Sequence, residues 1–366
     1  MILMNEFRGE PEKLKNEMLA AVKSVFESGW YILGNQVKQF EDRWAANSGV
    51  KYGVGVANGM DAIEIALKAL GIGKGDEVIT TNMTAFATVL AIFRSGATPV
   101  LADIVSDTAL LDIKSVERCI TKKTKAIVIV HLYGQVKKMT PWIDLCESNR
   151  IKLIEDCAQS HLASINGQMA GSFGSAGAYS FYPTKNLGTV GDAGMLVTND
   201  VKLKSNSDMI RNYGQSVRYQ HPLLGTNSRL DEIHAAIMLV RLKWLNKFTK
   251  RRKEIGQRYN TLLDNENIQK LSFPDEEDSH VFHLYVVNCK ERNKLEKHLE
   301  KNDIQSFIHY PVPINEQKPC KNINKDRDGL NTSIAHAKTC ISLPCHPQMS
   351  DDQVDKVIDV VNNFIL

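Results

Sequence analysis

Short apolar segments alternate with longer, mixed segments over the first two thirds of the chain. Seven apolar segments have the length of strands, and most of the segments between them are long enough for helices; the seven span 52–57, 77–81, 98–102, 125–133, 151–156, 176–182 and 194–199. Nearly continuous apolar strands joined by helical crossovers require a sheet that is covered on both faces. The sequence therefore predicts an α/β fold around a mostly parallel seven-stranded sheet with helices on both sides.

A helical pattern from about Arg229 to Gln257, with a charge-rich second half, follows the last predicted strand. We interpret this pattern as the exit from the sheet domain. The remaining sequence contains an amphipathic helical pattern near 291–303 and a closing helix from about Ser350. We therefore predict a large domain over 1–245, including an N-terminal arm, and a smaller α/β domain over 246–366.

The composition excludes several classes of protein. The net charge is +3 and the basic residues are spread along the chain, so we expect no nucleic-acid partner. The N-terminus becomes charged within ten residues and no run of eighteen apolar residues occurs, so we expect no membrane span and a cytoplasmic location. The seven cysteines are scattered without the spacing of a zinc site, which indicates reduced thiols and no metal.

A turn after the first predicted strand has the form of an anion site. Asn58 and Gly59 make the turn and Met60 opens a helix, whose free N–H groups favour phosphate. Most turns between a strand and a helix contain a glycine without any ligand, so this turn alone leaves both interpretations open. The P-loop motif is absent, and "GVGVAN" lacks the third glycine of the dinucleotide fingerprint.

Two adjacent carboxylates, Glu155 and Asp156, end the apolar strand "IKLIED". Burial of an unpaired charge is costly, so at least one of them needs a cationic partner, unless the pair faces solvent. A protonated ring nitrogen of a bound cofactor would be such a partner. Gln159 could then contact a neighbouring oxygen of the same ring.

The segment "SFYPTKNLGTVGDAG" contains one cation, Lys185, after a later strand. The aromatic residues Phe181 and Tyr182 would desolvate that lysine and favour its neutral form, which attacks an aldehyde. Ser180 could donate its hydroxyl to a phosphate. A single lysine of this kind is more often a surface residue. However, a phosphate turn, a strand-end aspartate and then serine and lysine occur in the order found in pyridoxal-phosphate enzymes of the aspartate aminotransferase fold type.

Eight segments between residues 28 and 349 resemble the DegT-type sugar-nucleotide aminotransferases. They are "SGWYILGNQVKQFE", "ANGMDAIEIALKALGIGKGDEVI", "SGATPVLADI", "IEDCAQSHLA", "SFYPTKNLGTVGDAGMLVTN", "GTNSRLDEIHAA", "IHYPVPINEQ" and "SLPCHPQM". The resemblance covers almost the whole chain and implies the fold type I architecture of pyridoxal-phosphate-dependent transferases. It also implies a homodimer with shared active sites, L-glutamate as amino donor and a nucleotide-linked keto sugar as acceptor.

The resemblance assigns roles to individual residues. It implies that Lys185 binds the cofactor as a Schiff base and moves protons during catalysis, and that Asp156 pairs with the pyridinium nitrogen. Gln159 would contact the ring hydroxyl. The residues expected at the phosphate are Gly59 and Met60 through their backbone, Ser180 through its hydroxyl, and Asn227 from the neighbouring subunit.

Two positions depart from the family's pattern. The family often has an aromatic residue directly after the threonine of "TFIAT", stacked on the cofactor ring, whereas here Ala85 takes that place and Phe86 follows. Phe86 is a candidate cofactor contact whose stacking stays open. Met60 replaces the family's usual threonine, which removes a hydroxyl donor but keeps the backbone N–H.

The acceptor is predicted from the same segments. "SFYPxKNLGxxGDAG" is similar to members that aminate 3-oxo sugars, so we expect a dTDP-linked 3-oxo-6-deoxyhexose, on the way to an amino sugar of a surface polysaccharide. A 4-oxo sugar or a UDP-sugar is the alternative. Candidate substrate contacts are Tyr31, Tyr182, Arg229, His309 and Tyr310; the loop that carries the last two is held by prolines and could be structural.

Three other functions stay open at this point. A related group of pyridoxal-phosphate sugar dehydratases has histidine in place of the lysine, and Lys185 argues against that chemistry. A cofactor-binding regulator would need a DNA-binding segment or a basic face, which the sequence does not show. A doubly wound nucleotide-binding protein without pyridoxal phosphate is the third alternative.

Overall fold

The computed structural model describes residues 1–272 and 276–365. Its helices are α1 (Glu12–Ser28), α2 (Asn35–Asn47), α3 (Gly59–Ala69), α4 (Phe86–Ser95), α5 (Ile113–Cys119), α6 (Thr140–Asn149), α7 (Val201–Arg211), α8 (Glu232–Leu262), α9 (Arg292–Lys301), α10 (Asn331–Thr339) and α11 (Asp351–Asn362). Its strands are β1 (Tyr52–Val56), β2 (Glu77–Thr81), β3 (Thr98–Ala102), β4 (Thr124–Val130), β5 (Lys152–Asp156), β6 (Ser164–Ile165), β7 (Gln168–Met169), β8 (Ala176–Ser180), β9 (Gly194–Thr198), β10 (Gln269–Lys270), β11 (Tyr285–Asn288) and β12 (Cys340–Leu343).

The central sheet has seven strands in the order β1-β9-β8-β5-β4-β2-β3. The neighbours from β8 to β3 are parallel, whereas β9 is antiparallel to both β8 and β1. Both faces are buried: Ile127 and Ile129 of β4 pack into one apolar cluster, and Ala126 and Val128 pack into another. The predicted α/β class and mostly parallel seven-stranded sheet are confirmed, because all seven apolar segments form its strands.

The carboxyl ends of the parallel strands bring the predicted site residues to one edge of the sheet. Asp156, the last residue of β5, pairs with Val130 of β4 and Ala178 of β8. Ser180 ends β8, and the start of α3 packs directly against it. A Cβ atom added to Gly59 would lie 2.7 Å from the Cβ of Ser180, so this close approach requires glycine.

A smaller sheet, β10-β11-β12, lies in the C-terminal part with α9 and α11. The 31-residue helix α8 joins the two parts, because its Leu245 packs with the large sheet and its Tyr259 packs with the smaller one. The boundary predicted between 245 and 246 falls inside this helix and stays a prediction.

The helices predicted in this region are present with shifted bounds. Helix α8 begins three residues later than expected because Asp231, its N-cap, is extended, and it continues to Leu262 because Ile255 and Tyr259 pack into the smaller apolar cluster. The closing helix begins after Ser350, whose side chain forms a capping box with Gln353.

The N-terminal segment packs against the smaller domain. Ile2 forms a parallel bridge with Ile304 and lies in the same apolar cluster as Tyr285, whereas α1 packs along α8. In the described part of the chain, no helix has the length and apolar character needed to cross a bilayer. All seven cysteines are buried free thiols.

Candidate active site

Lys185 lies in the loop between β8 and β9, next to the edge where the predicted cofactor residues meet. The loop is fixed by backbone bonds, among them Lys185 N–H to the Tyr182 carbonyl at 2.9 Å and Phe181 N–H to the Ala193 carbonyl at 2.8 Å. Desolvation lowers the pKa of Lys185 to about 8, although the negative charge of Asp156 opposes this shift. A substantial fraction of the amine is therefore neutral near pH 8, as a nucleophile requires.

The two aromatic residues before Lys185 have different environments. Phe181 is fully buried in the core, as a desolvating residue should be, whereas Tyr182 is 50% exposed. Tyr182 therefore contributes less to the desolvation of Lys185 than the sequence suggested. Tyr182 instead lines a cavity beside the loop, together with His309.

Asp156 is a buried carboxylate with a defined orientation. Its Oδ2 accepts a hydrogen bond from the Thr88 hydroxyl at 2.8 Å, and its Oδ1 accepts one from the Ala158 N–H at 3.1 Å. Burial raises the pKa of Asp156, while these two hydrogen bonds and the charge of Lys185 oppose that shift. Within the described residues Asp156 forms no ion pair, so a protonated ring nitrogen would supply its missing cationic partner.

Glu155 and Asp156 are both buried, so the alternative that these two strand-end carboxylates face solvent is wrong. The two oxygens of Glu155 accept backbone N–H bonds from Gly171, Phe173 and Gly174, each at 2.8 Å, and one oxygen lies 2.8 Å from His131 Nε2. Glu155, His131 and Cys157 could hold a metal by distance alone. The carboxylate is already saturated with hydrogen bonds, which indicates that Glu155 fixes the loop before β8 instead.

The turn at the start of α3 supplies donors for a phosphate. Asn58 caps the helix by accepting the Asp61 N–H at 2.8 Å, while the N–H groups of Gly59 and Met60 have no acceptor among the described residues. Ser180 Oγ accepts a weak bond from Tyr182 N–H at 3.4 Å and keeps its own hydrogen to donate. This set of free donors at a helix N-terminus fits the phosphate of pyridoxal phosphate.

Gln159 is held by two partners. Its Oε1 accepts the Tyr133 N–H at 2.6 Å, and its Nε2 donates to the Tyr310 hydroxyl at 3.2 Å. One hydrogen of Nε2 remains free, so Gln159 would act as a donor toward the predicted ring hydroxyl. Tyr310 thus lies beside the cofactor contact as well as in the predicted substrate loop. Burial raises the pKa of Tyr310, so its hydroxyl stays protonated.

Three other candidates lie near the start of α8, where Asn227 and Tyr31 are exposed and Arg229 is half-buried. Asn227 is exposed and its backbone bridges Asn212, while Arg229 donates to Asn212 Oδ1 at 3.2 Å and lies over the ring of Tyr213. The Tyr31 carbonyl accepts the N–H of the first residue of α8. Because Asp231 is the N-cap of α8, Asn227 does not cap that helix, and its contact with a partner's phosphate site stays a prediction.

Phe86 is the first residue of α4. It packs against an apolar cluster that includes Val89, Leu101 and Ile314. Its predicted stacking on the cofactor ring stays a prediction.

His309 is the candidate substrate residue with the best-defined contacts. Its Nδ1 lies 2.8 Å from Ser342 Oγ, and its carbonyl accepts the Tyr133 hydroxyl at 2.5 Å. Burial lowers the pKa of His309 to about 4, so the ring is neutral at pH 7.

Four residues of this site were not predicted from the sequence: Thr84, Thr88, Tyr133 and His283. Thr88 and Tyr133 hold Asp156 and Gln159, and Thr84 lies 2.9 Å from the Thr88 hydroxyl. His283 lines the same cavity as His309. Thr88 belongs to the segment "TAFAT", which the resemblance places near the cofactor. The role of Thr88 could have been predicted only from its position in that segment.

The comparisons with known proteins agree with this geometry. The sequence profile of the DegT/DnrJ/EryC1/StrS aminotransferase family matches residues 12–362. The dTDP-3-amino-3,6-dideoxy-alpha-D-galactopyranose transaminase of Aneurinibacillus thermoaerophilus is 41% identical over 364 residues, covering 100% of this chain and 99% of that relative. A pleiotropic regulatory protein of Geobacillus stearothermophilus is 40% identical over 355 residues, covering 96% and 95%. The crystal structure of S. venezuelae DesV in complex with a ketimine intermediate has a TM-score of 0.94 and 37% identity, covering 99% of this chain and 97% of that one.

Proposed function

This chain belongs to the DegT/DnrJ/EryC1/StrS aminotransferase family, and we propose that it transfers the amino group of glutamate to a dTDP-linked 3-oxo-6-deoxyhexose. It is a pyridoxal-phosphate-dependent sugar aminotransferase. The observation that carries the proposal is Lys185, which follows Ser180 in the loop after β8, has a pKa lowered to about 8 by burial, and is acted on by the charge of the buried Asp156. The dehydratase and regulator alternatives are not favoured, because Lys185 is present and the family is one of aminotransferases.

Pyridoxal phosphate, when bound, supplies an aldehyde carbon and a ring that withdraws electrons from the reacting carbon. Lys185 would hold that cofactor through its side-chain amine, and the same amine would then accept and return the proton of the donor carbon. Asp156 would keep the ring nitrogen protonated, because its carboxylate is oriented by hydrogen bonds from the Thr88 hydroxyl and the Ala158 N–H and forms no ion pair within the described residues. The N–H groups of Gly59 and Met60 and the hydroxyl of Ser180 would hold the phosphate and so orient the cofactor.

The acceptor is inferred from the relatives and from the Lys185 segment. The relative from Aneurinibacillus thermoaerophilus is named for a dTDP-3-amino-3,6-dideoxy sugar, and a relative from Micromonospora megalomicea that is 40% identical is named for a dTDP-3-amino-3,4,6-trideoxy sugar. The segment "SFYPTKNLGTVGDAG" is similar to that of family members that aminate 3-oxo sugars, which favours the same position. Glutamate is proposed as donor from the resemblance.

An exposed apolar surface supports the proposed homodimer. Its residues come from two segments, one joined to the N-cap of α8 by the bridge between Ile32 and Asp231 and the other around the bridge between Asn212 and Asn227; the exposed residues are Trp30, Tyr31, Ile32, Tyr213, Val217, Tyr219 and Leu224. Exposed apolar residues in such number are typical of a protein interface. We propose that a second copy of this chain covers the surface and that Asn227 reaches the partner's phosphate site.

A small panel of acceptors tests the proposal. Purified holoenzyme is incubated with glutamate and the 3-oxo or 4-oxo form of a dTDP-6-deoxyhexose or a UDP-sugar, and the products are identified by mass and by NMR. We expect the dTDP 3-amino sugar and one 2-oxoglutarate for each amino sugar formed. A deoxy product with released ammonia would indicate a dehydratase. A 4-amino product would show that the enzyme aminates C4 of the sugar and not C3.

A further inference from the structure

The turn between β1 and α3, which carries the predicted phosphate donors, is attached to a distant segment of the chain through Ser228. The Ser228 side chain is fully buried. Its Oγ accepts the Ala57 N–H at 3.1 Å, and its hydroxyl donates to Oδ2 of Asp61 at 2.6 Å. One hydroxyl group thus contacts the turn on both sides of Gly59 and Met60.

The hydroxyl of Ser228 is not itself available to a phosphate. A serine hydroxyl has a single hydrogen, and that of Ser228 is donated to Asp61. Its oxygen already accepts the backbone N–H of Ala57. Ser228 therefore differs from Ser180, whose hydrogen remains to be donated. Any effect of Ser228 on a bound phosphate must pass through the turn that it holds.

Ser228 is in turn held by an ordered backbone. Its N–H donates to the carbonyl of Arg211, the last residue of α7, at 2.9 Å. The neighbouring Asn227 forms a bridge with Asn212, just beyond that helix. The Arg211 guanidinium donates to the Gly55 carbonyl of β1 at 2.8 Å. Ser228 is therefore fixed to α7 and β1, which gives the turn a rigid support.

Asp61 receives the Ser228 bond in the first turn of α3. Its N–H donates to the side chain of the cap residue Asn58 at 2.8 Å. The bonds from Asp61 to Asn58, from Ser228 to Asp61 and from Ala57 to Ser228 close a ring, because Ala57 and Asn58 are joined by a peptide bond. The two residues with free N–H groups are the only ones between the cap and Asp61, so this ring fixes the direction of those donors.

A carboxylate this close to a phosphate site would repel the ligand unless its charge were balanced. Asp61 Oδ1 lies 3.6 Å from Nη1 of Arg94, at the end of α4, and the same guanidinium forms an ion pair with Glu64 at 2.7 Å. Glu64 also pairs with Lys68 at 2.6 Å. The two carboxylates and the two cations have no net formal charge, so the dipole of α3 can still attract a phosphate. Asp61 can therefore hold the turn with little electrostatic cost to phosphate binding.

We propose that Ser228 is a positioning residue of the cofactor site, which keeps the phosphate-binding turn in its binding conformation before the cofactor arrives. Without the Ser228 hydroxyl, the Ala57 N–H and one oxygen of Asp61 would lose their partner, and the turn would adopt other conformations. A phosphate would then have to reorder the turn, which weakens its binding. The inference rests on the proposed function only through the cofactor that this function requires.

The test compares cofactors with and without the phosphate. Apoprotein of wild type and of Ser228→Ala is titrated with pyridoxal phosphate and with pyridoxal, and Kd is determined from the absorbance of the bound compound. We expect Ser228→Ala to raise Kd for pyridoxal phosphate about tenfold, the effect of one hydrogen bond to a charged group, and to leave Kd for pyridoxal unchanged. An unchanged Kd for pyridoxal phosphate, or an equal rise for both compounds, would overturn the proposal.

Ser207→Ala is the matched control. Ser207 lies in α7, which packs against α3, and it is as fully buried as Ser228, but its hydroxyl has no hydrogen-bond partner among the described residues. This variant should bind both compounds as wild type does. If Ser207→Ala weakened pyridoxal phosphate as much as Ser228→Ala, the effect would come from general loosening of the packing and the proposal would be wrong. Ser228→Cys keeps the side-chain size but donates weakly, and should act like Ser228→Ala if that variant does not fold.

Amide hydrogen exchange of the apoprotein gives a readout that needs no ligand. Residues 57–61 should exchange faster in Ser228→Ala than in wild type or Ser207→Ala, because the turn opens more often. Equal exchange in all three proteins would contradict the role of Ser228. The titration uses no acceptor sugar, so its result does not depend on which sugar is aminated. A wild-type apoprotein that binds neither compound would instead contradict the proposed function.

Discussion

Thr88 donates its hydroxyl hydrogen to Oδ2 of Asp156 at 2.8 Å, from the first turn of α4 to the end of β5. The Thr84 hydroxyl lies 2.9 Å from that of Thr88, and the Ala158 N–H binds the other carboxylate oxygen at 3.1 Å. Asp156 is therefore held from two sides. The direction in which its free lone pairs point is set by residues that do not themselves react.

Thr88 should act as a positioning residue for Asp156. Thr88→Val keeps the shape but removes the hydroxyl, so we expect kcat to fall by about tenfold or more, the effect of one hydrogen bond to a charged group. The variant should also shift the pH midpoint of the bound cofactor's absorbance, because the carboxylate is no longer aligned with the ring nitrogen. Thr88→Ser is the control and should retain both properties. Equal kinetics and spectra in all three proteins would show that the hydroxyl does not orient Asp156.

Replacement of Asp156 itself should lower kcat more than replacement of Thr88. Asp156→Asn keeps the size of the side chain and removes the charge that holds the ring proton, so kcat should fall by at least ~100-fold, as for loss of a well-placed electrostatic group. Steady-state kinetics measure this directly. Near-normal turnover would mean that Asp156 does not pair with the ring nitrogen.

The lowered pKa of Lys185 predicts a pH dependence in the apoprotein. Neutral amine attacks the aldehyde, so the rate of covalent cofactor binding should rise with pH and level off above about 8, the pKa that desolvation gives Lys185. The unfolded chain, with a lysine pKa near 10.5, binds more protons between pH 8 and 10.5, so this group's contribution to stability increases with pH across that window. Stopped-flow absorbance gives the rate. A rate that still rises steeply above pH 10 would contradict the environment described for Lys185.

The strands and the edge that carries the site could be predicted from the sequence. Near-continuous apolar segments bounded by polar residues mark the strands, and the ends of parallel strands meet at one edge, which brings Asp156 and Ser180 together. The contacts that orient the site could not be predicted. The bond from Thr88 to Asp156 joins residues 68 positions apart, and its existence depends on how α4 docks on the sheet.

The partners of Glu155 and the exposure of Tyr182 illustrate the same limit. A strand-end carboxylate pair looks alike whether it faces solvent or a loop, and here three N–H groups of the loop before β8 bind Glu155. Tyr182 follows a buried strand, yet it faces a cavity that residues of the smaller domain and the N-terminal segment complete. Tertiary packing determines both the hydrogen-bond partners of Glu155 and the exposure of Tyr182, and the local sequence pattern indicates neither.

Asn227 should complete the site of a partner subunit. Lys185→Ala and Asn227→Arg subunits are each expected to be inactive, and a hybrid dimer should regain one site built from the intact Lys185 of one chain and the intact Asn227 of the other. With random exchange and independent sites, activity should return to about a quarter of wild type, an estimate from subunit statistics. The mixture is assayed after subunit exchange has been demonstrated with labelled chains. No recovery would place Asn227 in the site of its own chain or in a purely structural role.

The most direct measurement separates the two halves of the reaction. Holoenzyme is first treated with glutamate alone, and the 2-oxoglutarate formed is quantified per active site. The enzyme is then separated from glutamate and incubated with the dTDP-3-oxo-6-deoxyhexose. The account predicts one 2-oxoglutarate per site in the first step and one 3-amino sugar per site in the second, with both steps absent in Lys185→Ala. An amino sugar formed only while glutamate is present, or amination by the Lys185→Ala enzyme, would contradict transfer through this site.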